Sequence, residues 1–75
     1  MNYGYAPTPN DTELARRLTE MLKTIGPDES GLTAYIETDA LYPGVRIRRI
    51  THYPEKTRRM IVKKADAIYD ELEKE

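Results

Sequence analysis

The first extended pattern of apolar and polar positions in the chain is helical. From Asn10 onward, apolar residues recur at spacings of three and four, at Leu14, Leu18, Met21, Leu22 and Ile25. This spacing places them on one face of an amphipathic helix. Asn10 or Asp11 is suited to cap its start, and Glu13 follows Asn10 by three residues, as in a capping box. Gly26 and Pro27 should end the helix, because Gly accepts the left-handed conformation and Pro cannot continue the hydrogen-bond ladder.

Two short segments of alternating polarity follow and predict a β-hairpin. Residues 32–37 and 45–48 each alternate with a period of two, which is typical of half-buried strands. Between them, residues 42–44 read Tyr-Pro-Gly, with Pro and Gly where a type II turn requires them. The apolar positions expected on the inward side of the hairpin are Leu32, Ala34, Ile36, Val45 and Ile47.

A second helix should begin at Thr51 or just after it, with Pro54 tolerated in the first turn, where its missing N–H would have no acceptor. Its apolar stripe is Ile61, Ala65, Ile68 and Leu72, flanked by Met60, Val62 and Tyr69. The order helix, strand, strand, helix predicts a small two-layer α+β sandwich, with both helices packed on the apolar face of the hairpin. Because a two-stranded sheet is marginally stable alone, we expect either residues 2–6 or a partner chain to add a third strand. Residues 1–9 are then a flexible arm or a short edge strand, and residues 10–75 form a single domain.

Length and composition narrow the class of protein. The 75 residues are too few for two domains. With no Cys, the chain has neither a disulfide framework nor a thiolate metal site, which favours a reducing compartment. No apolar run approaches the roughly 18 residues of a membrane span, and the first ten residues do not resemble a signal peptide. We therefore expect a cytoplasmic protein with no membrane association.

The residues that usually perform catalysis are scarce. His52 is the only His, Ser30 is the only Ser, and there is no thiol. A catalytic or metal site needs partner side chains at suitable spacing, and His52 has none in the sequence. Gly26 and Gly31 lack the spacing and the following Lys of a phosphate-binding loop. We expect a protein that is not an enzyme and that uses no metal or cofactor.

The net charge is only -1, but the charges are segregated along the chain. Residues 45–64 contain eight basic residues and one acid, whereas residues 66–75 contain five acids and one Lys. The basic block predicts a phosphate-binding surface made of Arg46, Arg48, Arg49, Arg58, Arg59, Lys63 and Lys64. The alternative is a solvated surface whose cations pair with Glu13 and Glu20. No aromatic residues interleave with the basic ones, so stacking on bases is not favoured.

The acidic end of the second helix is the other candidate site. Asp66, Asp70 and Glu73 lie on one face at spacings of four and three, with Glu71 and Glu75 beside them. A rigid row of carboxylates can imitate a phosphate backbone. The row is costly, because like charges four residues apart repel and anions oppose the dipole at a helix C-terminus. The alternative is a helix end that only aids solubility.

Several of these segments together resemble the DinI (DNA-damage-inducible protein I) family. The matching features of the first half are the segment LARRLT at 14–19, then Leu22, the Pro27-Asp28 pair, and Gly31 opening a strand. Those of the second half are Lys56, Arg58 and Arg59 before Ile61, and the run Ile68-Tyr69-Asp70-Glu71, with Tyr69 where the family usually has Trp. The resemblance covers residues 13–37 and 51–72.

The resemblance implies a small α+β protein of the bacterial SOS response that binds the recombinase RecA and modulates its nucleoprotein filament. In that family the working surface is an acidic ridge on the last helix, which is thought to mimic DNA. Transferred to this sequence, the ridge falls on Asp66, Asp70, Glu71 and Glu73, with Glu75 as a further exposed acid.

The sequence departs from the family pattern in three places. Residues 1–9 are poor in branched apolar residues, the connection 37–50 is long and basic, and Lys63 and Lys64 place positive charge near the ridge. A phage or mobile-element relative with a changed partner preference would account for all three.

The leading hypothesis is therefore a non-enzymatic regulator that docks its acidic helix on RecA, as a monomer or weak homodimer. The alternative is a small nucleic-acid-binding module that uses the basic surface. A third possibility, compatible with either, is a dimer that completes its sheet through the open edge of the hairpin.

Overall fold

A computed structural model describes residues 9–38 and 44–75. Its elements are α1 (Pro9–Ile25), β1 (Tyr35–Thr38), β2 (Val45–Arg48), a 3₁₀ turn (Ile50–His52) and α2 (Glu55–Lys74). The predicted α+β class and the order helix, strand, strand, helix are confirmed. Residues 1–8 of the predicted arm, with the predicted third strand, and residues 42–43 of the predicted turn lie outside the described residues, whereas Pro9 belongs to α1. Within the described ranges, no helix combines the length and apolar character needed to cross a bilayer.

The two strands pair antiparallel, with Ile36 opposite Ile47 and Tyr35 opposite Arg48. Because side chains alternate across a strand, Ile36, Val45 and Ile47 pack against the core, and Arg46 and Arg48 are exposed. The register confirms the predicted inward positions of β2.

The first strand is shorter than the alternation indicated, and the prediction for Leu32 was wrong. Leu32 is 52% exposed and precedes β1. Its carbonyl accepts a 2.8 Å hydrogen bond from the N–H of Asp28, and the N–H of Gly31 donates to the Asp28 carbonyl. These bonds close a loop over residues 28–32. The carbonyl of Leu32 is therefore bonded within this loop and not to a neighbouring strand.

The core lies where α1 meets both the sheet and α2. Its buried residues are Leu18, Met21, Leu22, Ala34, Tyr53 and Ile61. Ile61, the first residue of the predicted stripe of α2, is fully buried, and Ala65 and Ile68 pack beside the same cluster. The expectation that both helices lie on the hairpin holds mainly for α1, because α2 packs chiefly on α1.

Both ends of α1 are now defined. The helix includes Pro9, so it begins before the predicted caps Asn10 and Asp11. Pro suits the first turn of a helix, since its N–H is not needed there. Glu13 does not form a capping box; its carboxylate accepts hydrogen bonds from Arg16 and Arg17. At the other end, Gly26 has φ of 86°, the predicted left-handed geometry.

The start of α2 differs from the prediction. Pro54 is the N-cap and precedes the helix instead of lying in its first turn. A residue before Pro is biased toward extended backbone, and Tyr53 has φ of −89° and ψ of 154°. Residues 50–52 form a separate 3₁₀ turn between β2 and α2.

Candidate functional site

A polar cluster ties the loops together at the C-terminal end of α1. It is formed by the buried Asp28 and Tyr53, the half-buried Arg49 and the exposed Ser30. The Tyr53 hydroxyl accepts a 2.8 Å hydrogen bond from the Ala34 N–H and donates one of 2.8 Å to the Gly26 carbonyl. The ring itself is only 4% exposed. Tyr53 therefore joins the end of α1, the approach to β1 and the start of α2. We call these four residues the anchor cluster.

The Asp28 carboxylate is the second centre of the anchor cluster. Its side chain is 1% exposed and accepts hydrogen bonds from the Ser30 hydroxyl and from the N–H groups of Ser30 and Leu32. The Arg49 guanidinium completes its shell at 3.2 Å. The bond from the Ser30 hydroxyl, with those from the backbone and from Arg49, lowers the pKa of Asp28 to about 2. Because every one of these bonds favours the ionised form, the carboxylate is held charged in a structural role.

Two residues that the sequence offered as candidate functional groups belong to the anchor cluster instead. Arg49 adopts φ of 70° and faces Asp28, so it belongs to the scaffold and not to a free basic surface. The Ser30 hydroxyl is likewise engaged by Asp28. His52 is exposed in the 3₁₀ turn. Over the described ranges, no group of three or more His, Cys, Asp or Glu residues is placed to hold a metal ion.

Sequence reasoning missed the role of Tyr53 entirely. Its partners are the backbone groups of Gly26 and Ala34. Because every residue has such groups, nothing in the sequence identifies these two as partners of Tyr53. The one available hint was its position directly before Pro54, where an aromatic residue is held in extended backbone. Asp28 was singled out only through the family resemblance.

The rest of the predicted basic surface is partly neutralised by neighbouring acids, although not by the ones predicted. Glu13 pairs with Arg16 and Arg17, and Glu20 lies 3.8 Å from Lys23, all within α1. The cations of the basic block find other carboxylates. Arg48 is 4.0 Å from Glu37 on the neighbouring strand, and Arg59 is 2.8 Å from Glu55 one turn earlier. The pairing with Glu13 and Glu20 that the alternative interpretation required is therefore not formed among the described residues.

The structure brings several of the basic side chains together around the 3₁₀ turn. Arg58, Arg59 and Lys63 line a groove of about 570 Å³ between α2 and that turn. Arg48 lines a second groove, and the two grooves share Ile50 and Thr51. Lys64 and Arg46 line neither of them. The first groove also contains Glu55 and Asp66, so its charge is mixed.

The predicted acidic residues occupy the last three turns of α2. Asp66, Asp70, Glu71 and Glu73 are all exposed. Within residues 9–38 and 44–75, none of these four carboxylates takes part in an ion pair. Glu75 differs from them, because its carboxylate lies 2.9 Å from Arg17 of α1. The open row therefore consists of four acids, and Glu75 fastens the end of α2 to α1.

The chain matches no known family model, and no curated protein or solved structure is significantly similar to it.

Proposed function

We propose that this chain is a non-enzymatic, DinI-like regulator of the SOS response that binds a RecA-type filament in the cytoplasm. The contact surface is the row formed by Asp66, Asp70, Glu71 and Glu73 on α2. The observation that carries the proposal is that these four exposed carboxylates have no ion pair in the described chain. A filament that binds DNA presents cations to a phosphate backbone, and such cations fit a carboxylate row.

The spacing of the row supports this use. At a rise of about 1.5 Å per residue, Asp66, Asp70 and Glu73 span about 10 Å, or roughly one charge per 5 Å. A nucleic-acid strand carries one phosphate per about 3.4 Å. The helix thus holds its charges at a density approaching that of one strand, and it holds them without the entropy loss of ordering a flexible acidic tail.

The position of the row also argues for a partner. Acids in the last turns of a helix oppose its dipole, and Asp66 and Asp70 repel each other across one turn. Solubility could be obtained at less cost by alternating acids with Lys or Arg, as α1 does. Docking on a cationic surface would offset both the unfavourable interaction with the helix dipole and the repulsion between Asp66 and Asp70.

A second candidate function, direct binding of nucleic acid, has one observation in its favour. Three basic side chains line one groove beside the 3₁₀ turn that contains Thr51. They are Arg58, Arg59 and Lys63. Two acids line the same groove, and Arg48, Arg49 and Arg59 each lie beside a carboxylate. This leaves a weaker cationic surface than the sequence suggested, so we rank this function second.

The two functions are separated by fluorescence anisotropy of labelled single-stranded DNA. The protein is added to DNA alone and to a preformed filament of RecA and nucleotide, at low and physiological salt. We expect no effect on free DNA and a changed dissociation rate of the filament, because the acidic row faces the recombinase.

The matched variants reverse charge on either surface. Asp70→Lys combined with Glu71→Lys should abolish the effect on the filament, whereas Arg48→Glu should retain it. Direct binding to free DNA with steep salt dependence, lost in Arg48→Glu, would instead establish the nucleic-acid function.

A further inference from the structure

The solvent face of α2 has an internal symmetry of charge. Five pairs of charged residues at equal distances before and after the midpoint between Lys64 and Ala65 carry opposite charges, whereas Lys64 itself is paired with the uncharged Ala65. The inverted pairs are Glu55 with Lys74, Lys56 with Glu73, Arg58 with Glu71, Arg59 with Asp70, and Lys63 with Asp66. The uncharged pair Val62 and Ala67, next to Lys63 and Asp66, is related by the same midpoint.

Four of these five charged pairs, and the pair Val62 and Ala67, lie on one exposed side of the helix. At about 100° per residue, their directions cluster opposite that of the buried Ile61. All ten side chains are exposed. We call these ten residues the outer face: Glu55, Lys56, Arg59, Val62, Lys63, Asp66, Ala67, Asp70, Glu73 and Lys74.

A surface that inverts its charge about its own centre is complementary to a copy of itself. We propose that the outer face pairs antiparallel with the outer face of a second copy of this chain, about a two-fold axis near Lys64 and Ala65. In a two-fold contact, each interaction occurs twice with the roles exchanged. Arg59 of each copy then meets Asp70 of the other, Lys63 meets Asp66, and Val62 meets Ala67.

The helix dipole reinforces this arrangement. Within one copy, Lys56 and Arg59 lie near the positive N-terminus and Asp70 and Glu73 near the negative C-terminus, so both groups are unfavourably placed. Antiparallel pairing brings the acids of one helix beside the N-terminus of the other. A parallel pairing would place like charges together, so the charge pattern selects the orientation as well as the partner.

The groove beside the 3₁₀ turn is suited to receive the second helix. Arg59, Val62 and Lys63 of the outer face also line this groove, as does Ile50. The apolar part of the contact is small, since it consists mainly of Val62, Ala67 and the rim of Ile50. Association should therefore be weak, driven by charge and sensitive to salt.

This inference does not depend on the proposed function, although the two share residues. Pairing would cover Asp66 and Asp70, so the paired form would withhold those carboxylates from any other partner. The experiment below contains no recombinase and no DNA, so its result is separate from that of the filament experiment.

The test uses two charge-reversed variants that are repulsive alone and complementary together. In Arg59→Asp, acids face each other at both contacts of the pair; in Asp70→Arg, cations do. A mixture of the two restores opposite charges at both contacts. Sedimentation velocity at low salt would compare the wild type, each variant and the equimolar mixture, with circular dichroism to verify that each variant is folded.

We expect the wild-type chain to sediment between the masses of one and two copies of 8.7 kDa. Each variant alone should associate at least about tenfold more weakly, and the mixture should regain association. Salt at about 1 M, where the Debye length is about 3 Å, should dissociate the wild type. The proposal is overturned if the wild type is monomeric at submillimolar concentration and low salt, if either variant associates like the wild type, or if the mixture gains nothing. Salt-resistant association unaffected by both variants would instead indicate pairing through the sheet edge.

Discussion

The anchor cluster and the outer face of α2 are both rich in polar residues, but the polar groups of the first bond within the chain and those of the second are exposed to solvent. In the anchor cluster, Asp28, Tyr53 and Arg49 point inward and bind groups of the same chain. On the outer face, Asp66, Asp70 and Lys63 point into solvent. The difference distinguishes polar residues that hold the fold together from those that remain available to another molecule.

Desolvation explains the contrast. A polar group removed from water must find a partner or lose free energy, so the buried hydroxyl of Tyr53 and carboxylate of Asp28 are surrounded by donors and acceptors. An exposed charge keeps its water and needs no partner to be tolerated. Its placement then depends on weaker interactions, such as that with the helix dipole, and for Asp70 and Glu73 of the outer face even this interaction is unfavourable.

The largest expected effect comes from removing the buried hydroxyl of the anchor cluster, with an exposed hydroxyl of α2 as the control. Tyr53→Phe leaves the Ala34 N–H and the Gly26 carbonyl without their buried partner, and should lower the free energy of unfolding by about 2 kcal/mol. Tyr69 of α2 is 53% exposed, so Tyr69→Phe should change stability little. Urea unfolding followed by circular dichroism gives both values. Equal losses in the two variants would contradict the assigned roles.

The next largest difference between the anchor cluster and the outer face should be in how stability depends on pH under acid conditions. The pKa of Asp28 is lowered to about 2 in the folded chain from an ordinary 3.8. Because the folded chain binds this proton less readily than the unfolded chain does, Asp28 contributes stability above about pH 4 that is lost as pH falls toward 2. Glu13, whose pKa is also lowered to about 2 by its bonds to Arg16 and Arg17, acts in the same window.

The variant Asp28→Asn should therefore be less stable at neutral pH and should show a shallower loss of stability between pH 4 and pH 2. The loss is not abolished, since Glu13 remains. Asp66→Asn, on the outer face, should follow the wild-type profile. Unfolding measured across this pH range checks both, and an unchanged slope in Asp28→Asn would show that the pKa of Asp28 does not differ between the folded and the unfolded chain.

The sequence predicted these two regions unequally, for a physical reason. Helical periodicity located Ile61 and Leu22 in the core, and the spacing of Asp66, Asp70 and Glu73 placed them on one face, because both depend only on helix geometry. The anchor cluster depends on long-range contacts. Nothing local links Tyr53 to Gly26 or Arg49 to Asp28, which are 27 and 21 residues apart. Glu13 shows a different error: the sequence offered it as a capping residue and as a partner of the basic block, but its partners Arg16 and Arg17 lie one turn away in α1.

The smallest effect should also have the opposite sign. Asp70→Asn removes a charge that opposes the helix dipole and that repels Asp66, so α2 should become more stable by about 0.3 kcal/mol at low salt. Lys74→Gln, which removes a favourable cation from the last turn, should cost a similar amount. Thermal unfolding at low and high salt resolves the two, and both differences should shrink as salt screens them. If Asp70→Asn instead destabilises the isolated chain, this carboxylate has a favourable interaction within its own fold. It would then belong with Asp28 among the structural residues, and the acidic row would lose its central member as a binding group.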